Sequence, residues 1–151
     1  MHDVHFSSET VEWATPQYLF DELNREFGFT LDPCATPENA KCDKFYTIHD
    51  DGLVQDWSGE TVYVNPPYGR KTGDWIEKAI VESRKGSTVV CLIPAKTETR
   101  WWARFWDYER HRPVHGVQVR FIFKRVKFGE SKINAPFPCA VVIFRGKESK
   151  R

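Results

Sequence analysis

The sequence predicts an α/β layered domain on a mostly parallel sheet, with helices on both faces and one antiparallel strand near the C-terminus. Three observations carry this. Short apolar runs of strand length alternate with helix-spaced segments along the first two thirds of the chain. The run Ser87-Thr88-Val89-Val90-Cys91-Leu92-Ile93, between Gly86 and Pro94, is continuously apolar, as a strand covered on both faces is. The last two strand-like runs, 117–123 and Cys139–Phe144, have no helical segment between them, so one of them is expected to run antiparallel at the end of the sheet.

Residues 1–12 are polar and unpatterned and read as a mobile arm. From Thr15 to Gly28 a helix carries its own punctuation: Thr15 as N-cap, Pro16 as first helical residue, Leu19, Leu23 and Phe27 every fourth position, and Gly28 as stop. Phe29-Thr30-Leu31 reads as a short strand running into Asp32-Pro33-Cys34-Ala35. Thr36-Pro37 opens a turn or short helix through Ala40, and Phe45-Tyr46-Thr47-Ile48 reads as another strand ending at His49-Asp50-Asp51-Gly52. Thr61-Val62-Tyr63-Val64 is a clear strand that delivers Asn65-Pro66-Pro67-Tyr68-Gly69. Helical spacing follows in Trp75, Ile76, Ala79 and Ile80. Residues 97–108 are predicted helical, with Trp101, Trp102, Phe105 and Trp106 on one side, mostly as core. A long polar segment, 124–138, precedes the final strand, and 147–151 is a tail, which leaves 13–146 as one domain.

Length and composition agree with that single domain. The chain has 151 residues, 40% hydrophobic and 28% charged, which excludes disorder, collagen and coiled coil. No apolar run approaches the roughly 20 residues that span a bilayer, and the first residues do not read as a secretory signal, so a cytoplasmic protein with no membrane partner is expected. The four cysteines, 34, 42, 91 and 139, match no paired-ligand spacing and read as reduced, with no metal site. Net charge is only +1, but it is polarised: residues 1–69 hold 3 basic and 13 acidic side chains, and residues 70–151 hold 19 and 8. A basic second half interleaved with aromatic side chains points to a nucleic-acid surface, with Arg70, Lys96, Arg100, Lys124, Arg125 and Lys127 as candidate contacts.

Ligands of open α/β sheets bind where loops leave the carboxyl ends of strands. Asp32-Pro33-Cys34, Asp50-Asp51, Asn65-Pro66-Pro67-Tyr68 and Pro94-Ala95 all fall at such ends. Asn-Pro-Pro-Tyr has a definite chemical use there. The exocyclic nitrogen of adenine is a poor nucleophile because its lone pair is delocalised into the ring. Two acceptors for its two hydrogens, the Asn65 side-chain oxygen and the Pro66 carbonyl, draw it toward a tetrahedral shape and free that pair. Proline lacks an N–H and fixes the backbone, so the carbonyl is held rigidly. Tyr68 offers a ring on which an extruded base stacks, and Phe137 reads as a wall of the same pocket.

These residues give the chain its resemblance. With Trp13-Ala14-Thr15-Pro16, Phe29-Thr30-Leu31-Asp32-Pro33-Cys34-Ala35-Thr36, Glu38-Asn39-Ala40-Lys41-Cys42, Asp51-Gly52-Leu53, Asn65-Pro66-Pro67-Tyr68-Gly69-Arg70, Leu92-Ile93-Pro94-Ala95 and Ala135-Pro136-Phe137-Pro138, the sequence resembles the phage-encoded DNA N-6-adenine methyltransferases, the small Dam-like family. The resemblance implies a Rossmann-like methyltransferase sheet, S-adenosylmethionine as donor, DNA as partner, N6-methyladenine as product and a bacterial host cytoplasm; a homodimer is compatible with it. It implies that Asn65, Pro66, Pro67 and Tyr68 are catalytic and that Trp13, Thr15, Pro16, Asp32, Pro33, Cys34, Asp50, Asp51 and Asn65 hold the donor. Thr15-Pro16 matches a segment lying over the donor's methionine part, and Asp50 or Asp51 is suited to its ribose or adenine. Cys34 is expected to line the site without acting as a nucleophile. One departure stands out: the loop 33–39 lacks the glycines that usually follow the first strand of methyltransferases. The alternatives at this stage are amino-methylation of RNA or of a glutamine amide, and a catalytically inactive nucleic-acid-binding domain of the same fold.

Overall fold

The computed structural model describes residues 14–128, 135 and 137–146. Trp13, the expected arm at 1–12 and the tail at 147–151 lie outside the described residues. In chain order come helix α1 (Gln17–Phe27), strand β1 (Thr61–Val64), helix α2 (Thr72–Arg84), β2 (Thr88–Pro94), the short β3 (Trp106–Asp107) and β4 (Arg112–Pro113), β5 (Val117–Phe121) and β6 (Cys139–Phe144). Single 3-10 turns occupy Gly52–Val54 and Trp102–Arg104.

The main sheet has the order β1-β2-β6-β5. β1 pairs with β2 in parallel, and β6 pairs antiparallel with both β2 and β5, so the mostly parallel sheet expected from the sequence is corrected to a mixed, mostly antiparallel one, only β1 and β2 being joined through a crossover helix, α2. Strands β1, β2 and β5 therefore point one way and β6 opposes them, which brings three carboxyl ends to one edge of the sheet. The opposed strand is not at the end of the sheet, as its place in the chain suggests; it is interior, and β5 is the edge. Burial explains the exchange. Every residue of β6 is buried, whereas β5 carries exposed Gln118 and half-buried Arg120, which an edge strand tolerates and a central one does not.

Alternation along the strands divides the core in two. Val62, Val64, Val89, Cys91, Ile93, Ala140, Val142 and Phe144 pack with Trp75, Ile76, Ala79 and Ile80 of α2. Tyr63, Val90, Leu92, Cys139, Val141 and Ile143 pack with Leu19, Phe20 and Leu23 of α1. Helices thus cover both faces, as the continuous apolar run predicts. Among the described residues no helix is long and apolar enough to cross a membrane.

Several local expectations are corrected. Pro16, not Thr15, sits at the N-cap position of α1, with no capping side-chain bond, because the Thr15 hydroxyl is engaged with the Tyr63 hydroxyl. Gly28 closes the helix in the left-handed conformation (φ 69°), where a glycine is least strained. The expected strands at 29–31 and 45–48 shrink to isolated parallel bridges, Leu31 to Val62 and Asp32 to Phe45. The Thr30 N–H bonds the Thr61 carbonyl and the Tyr46 N–H the Asp32 carbonyl, but the second segment goes no further, since Thr47 is drawn into a turn by the Asp50 carboxylate. The expected helix at 97–108 is instead a turn, the 3-10 segment and the β3–β4 hairpin. There the Thr99 hydroxyl donates to the Lys96 carbonyl and accepts the Trp102 N–H, and the Asp107 carboxylate accepts the N–H groups of Glu109 and Arg110. These side chains compete with helical backbone bonds. Trp102, 1% exposed, becomes the hub that Trp101, Phe105, Trp106 and Phe121 surround.

Candidate active site

The loop leaving β1 is fixed at both ends. Asn65 follows the last residue of the strand, and wholly buried Thr72 opens α2. The Thr72 hydroxyl donates to the Pro67 carbonyl at 2.8 Å and accepts the Gly69 N–H at 3.1 Å, and the Thr72 N–H donates to the Gly69 carbonyl at 3.3 Å. Gly69 has φ 118°, which side chains other than hydrogen resist. Residues 65–69 are therefore stapled to the first turn of the helix.

Within that loop the Tyr68 hydroxyl donates to Asn65 Oδ1 at 2.9 Å and lies 3.3 Å from the Leu92 carbonyl. Burial raises the Tyr68 pKa well above the ordinary phenol value, so the hydroxyl keeps its proton to donate. The bond aims the asparagine oxygen. Tyr68 is set edge-on to Phe137 (centroids 5.3 Å, 78°) and to Phe128 (5.9 Å, 79°). The structure thus brings Asn65, Tyr68 and Phe137 together, and it adds Phe128 to the aromatic corner. Pro66 is buried, and among the described residues no donor is paired with its carbonyl.

Asp32, only 4% exposed, lies one residue past the Leu31–Val62 bridge that flanks β1. Its carboxylate accepts the Lys41 N–H at 2.9 Å and the Cys34 N–H, and burial outweighs both bonds to raise its pKa to about 6. The Lys41 ammonium is directed elsewhere, to Gln17 Oε1 at 2.8 Å at the start of α1. Lys41 thus bridges the two segments, its N–H on Asp32 and its ammonium on Gln17 one residue after Pro16, while the Thr15 hydroxyl bonds the Tyr63 hydroxyl two residues before Asn65. Pro33 and Cys34 continue from Asp32. Burial pushes the Cys34 thiol up to about 12, which leaves it un-ionised and unsuited to attack. Asp50 and Asp51 are exposed and serve their own turn: Asp50 Oδ2 accepts the Thr47 N–H at 2.8 Å, and Asp51 Oδ1 accepts the Leu53 N–H at 3.1 Å. That turn is pressed against the Asp32 loop, because a Cβ on Gly52 would collide with the Pro33 carbonyl oxygen.

The candidate phosphate contacts share an edge. Arg70 follows β1, Lys96 and Arg100 follow β2, and Lys124, Arg125 and Lys127 follow β5; all six are exposed. Arg125 also donates to the Ala135 carbonyl at 3.2 Å. Among the described residues no group of three or more His, Cys, Asp or Glu side chains could hold a metal ion.

Three residues that sequence reading passed over turn out to position the site. Tyr63 looks like an ordinary strand residue, Thr72 like a helix-start hydroxyl, and Gly52 like the end of a turn. Only Thr72 carries a signal, since a threonine three residues after a glycine suits a local side-chain bond.

A family model described as DNA N-6-adenine-methyltransferase (Dam) matches residues 5–150. Among curated relatives, the DNA N-6-adenine-methyltransferase of Haemophilus phage HP1 (strain HP1c1) is 34% identical over 93 residues, covering 60% of this chain and 53% of that protein. The DNA N-6-adenine-methyltransferase of Escherichia phage T1 is 33% identical over 92 residues, covering 60% of this chain and 38% of that protein. The matched region thus spans about half the length of the first relative and less of the second. With the family model covering nearly all of it, the chain belongs to the DNA N-6-adenine-methyltransferase (Dam) family.

Proposed function

We propose that this member of the DNA N-6-adenine-methyltransferase family methylates adenine N6 in DNA from S-adenosylmethionine, on a Rossmann-like methyltransferase sheet and with the base turned out of the helix. The observation that carries the reading is the fixed Asn65-Pro66 pair. Its amide oxygen is aimed by Tyr68 and its loop is stapled by Thr72, one strand away from a buried carboxylate.

The donor's requirements fit what Asp32 offers. Among the described residues no guanidinium or ammonium is hydrogen-bonded to this buried acid, and two N–H groups leave it further acceptor capacity for sugar hydroxyls or an amino group. Thr15, Pro16, Pro33 and Cys34 border it, with Asp50 and Asp51 on the adjoining turn and Trp13 immediately before the described residues. S-adenosylmethionine, when bound, supplies an electrophilic methyl group. The chain's own residues prepare the acceptor: Asn65 Oδ1 and the Pro66 carbonyl take the two amino hydrogens and concentrate the lone pair on nitrogen. Pro67 keeps the loop rigid, and Tyr68 and Phe137 hold the base by stacking and exclude water. Arg70, Lys96, Arg100, Lys124, Arg125 and Lys127 neutralise phosphates on the same edge. The reaction takes place in the cytoplasm of the bacterial host.

The test is transfer of labelled methyl to duplex DNA, to RNA and to a protein extract, with calorimetry on S-adenosylhomocysteine alongside. Label in DNA at adenine N6 is expected. Label in RNA or protein alone redirects the reading to another planar amino group, and failure to bind the donor product leaves a non-catalytic nucleic-acid-binding domain.

A further inference from the structure

Phe123 is the most conspicuous apolar side chain on the strand-end edge, 86% exposed, one residue beyond the last backbone bond of the β5–β6 pairing. Phe121, also largely exposed, is stacked on Trp102 at 6.2 Å and so belongs to the aromatic cluster of the core. Phe123 has no such support; the Lys124 ammonium, 5.6 Å from its ring centroid, is its described neighbour. A single exposed ring is unremarkable by itself. Its setting is specific. Lys124, Arg125 and Lys127 follow it along the chain, all exposed, and Lys124 takes φ 69°, which turns the chain sharply at that point. The segment is anchored rather than slack: Val126 is 2% exposed and Phe128 fully buried, the Val126 carbonyl accepts the Ala135 N–H at 2.9 Å, and Phe128 meets the ring of Tyr68.

Register places this ring relative to the candidate active site. Val64, Cys91, Val142 and Val119 form one row across the sheet, and Ile122 donates to the Cys139 carbonyl opposite Pro94. Phe123 therefore stands on the same edge as Asn65, three inter-strand steps away, or about 14 Å laterally.

We propose that Phe123 is the wedge that enters the base stack of duplex DNA where the target adenine leaves it, while its flanking cations hold the phosphates on either side. The inference rests on the activity proposed above and adds to it how the duplex is opened. Extruding a base costs unstacking and unpairing, and an apolar side chain in the gap offsets part of that cost. A duplex supplies both the phosphates that Lys124, Arg125 and Lys127 would meet and the stacked faces that an exposed ring would enter.

The test compares wild type, Phe123→Ala and Phe123→Leu on a duplex that wild type methylates, selected from a randomised pool. The duplex is presented matched, with the target adenine opposite an abasic site, and as single strand. Phe123→Ala is expected to lose about 10- to 100-fold in affinity and methylation rate on the matched duplex, in line with a few kcal/mol per unstacked step. It should fall much less on the other two forms, and Phe123→Leu should retain most of the activity. Because the side chain is exposed, the melting curve should not move. Equal loss on all three forms, or no loss on any, overturns the wedge and leaves the methyltransferase reading standing. A wild-type chain that neither binds nor methylates any DNA overturns both.

Discussion

Replacing Asp32 by Asn separates what the buried carboxylate costs the fold from what it would give the proposed donor site. Burial raises its pKa from the ordinary 3.8 to about 6, so the folded chain retains a proton that the unfolded chain releases between those values. Stability contributed by this group therefore falls as pH rises through that window, and the penalty is complete above about pH 7. The two-unit rise corresponds to about 3 kcal/mol at 1.36 kcal/mol per unit, of which about half develops between about pH 5 and about pH 8. Asn removes the ionisation and keeps an oxygen for only one of the two N–H donors. The loss of one backbone bond, about 1 kcal/mol, applies at every pH, whereas the relief grows with pH. Denaturant melts of both proteins should show Asp32→Asn gaining about 1.5 kcal/mol relative to wild type between about pH 5 and about pH 8. Calorimetry with S-adenosylhomocysteine should show the opposite trend in function: at about pH 8 the variant binds about 10- to 100-fold more weakly, as a lost hydrogen bond to a charged group predicts. That deficit should shrink as pH falls below about 6 and wild type takes up its proton. A stability difference that stays flat with pH would refute the raised pKa, and undiminished affinity at about pH 8 would remove Asp32 from the donor site.

The same geometry yields four further outcomes. Asn65→Ala should lower turnover by about 10² to 10³, as removal of one aimed charge-stabilising group does, and weaken binding of the donor product by much less; affinity falling in step with turnover would make the residue structural. Tyr68→Phe keeps the ring and removes the hydroxyl that aims Asn65 Oδ1, so kcat should fall about tenfold, with near-normal melting. Gly52→Ala forces its turn away from the Pro33 carbonyl, which should destabilise the chain by about 1 to 3 kcal/mol and weaken donor-product binding, checked by melts and calorimetry. Glu82 is 1% exposed and bonded to Lys78, Lys85 and the Trp57 N–H, so Glu82→Ala should destabilise by about 2 to 3 kcal/mol in denaturant melts, leaving the buried Trp57 N–H and the half-buried Lys78 ammonium unmatched.

Most of the sheet was legible because its signal is local and redundant. The run from Thr88 to Pro94 is long, apolar and bounded by Gly86 and a proline, and Cys139–Phe144 is unbroken by any polar residue. What could not be read locally was decided by partners. Trp101, Trp102, Phe105 and Trp106 have helical spacing, but their rings collect around buried Trp102 while Thr99 and Asp107 take up the backbone groups a helix needs. The order of the last two strands was likewise invisible along the chain. It follows from comparing Gln118 and Arg120 in one strand with the wholly apolar run of the other, a comparison of which strand withstands full burial.

The candidate site divides along the same line. Asn65 to Tyr68 and Asp32 stand out as candidates in the sequence because each follows a short apolar run and ends it with polar groups that are costly to bury. Their supports do not, because a support is defined by what it touches. Nothing about Tyr63 in sequence says that its hydroxyl meets Thr15 across 48 residues, and nothing about Gly52 says that the Pro33 carbonyl leaves no room for a methyl group. The missing glycines of the loop after Asp32 belong to this class of question. The close approach that the structure does show is between two backbones, where Gly52 of the neighbouring turn meets the Pro33 carbonyl. A glycine restored into 33–39 should then add flexibility to the donor side without adding room, and it should not substitute for Gly52 in a chain carrying Gly52→Ala.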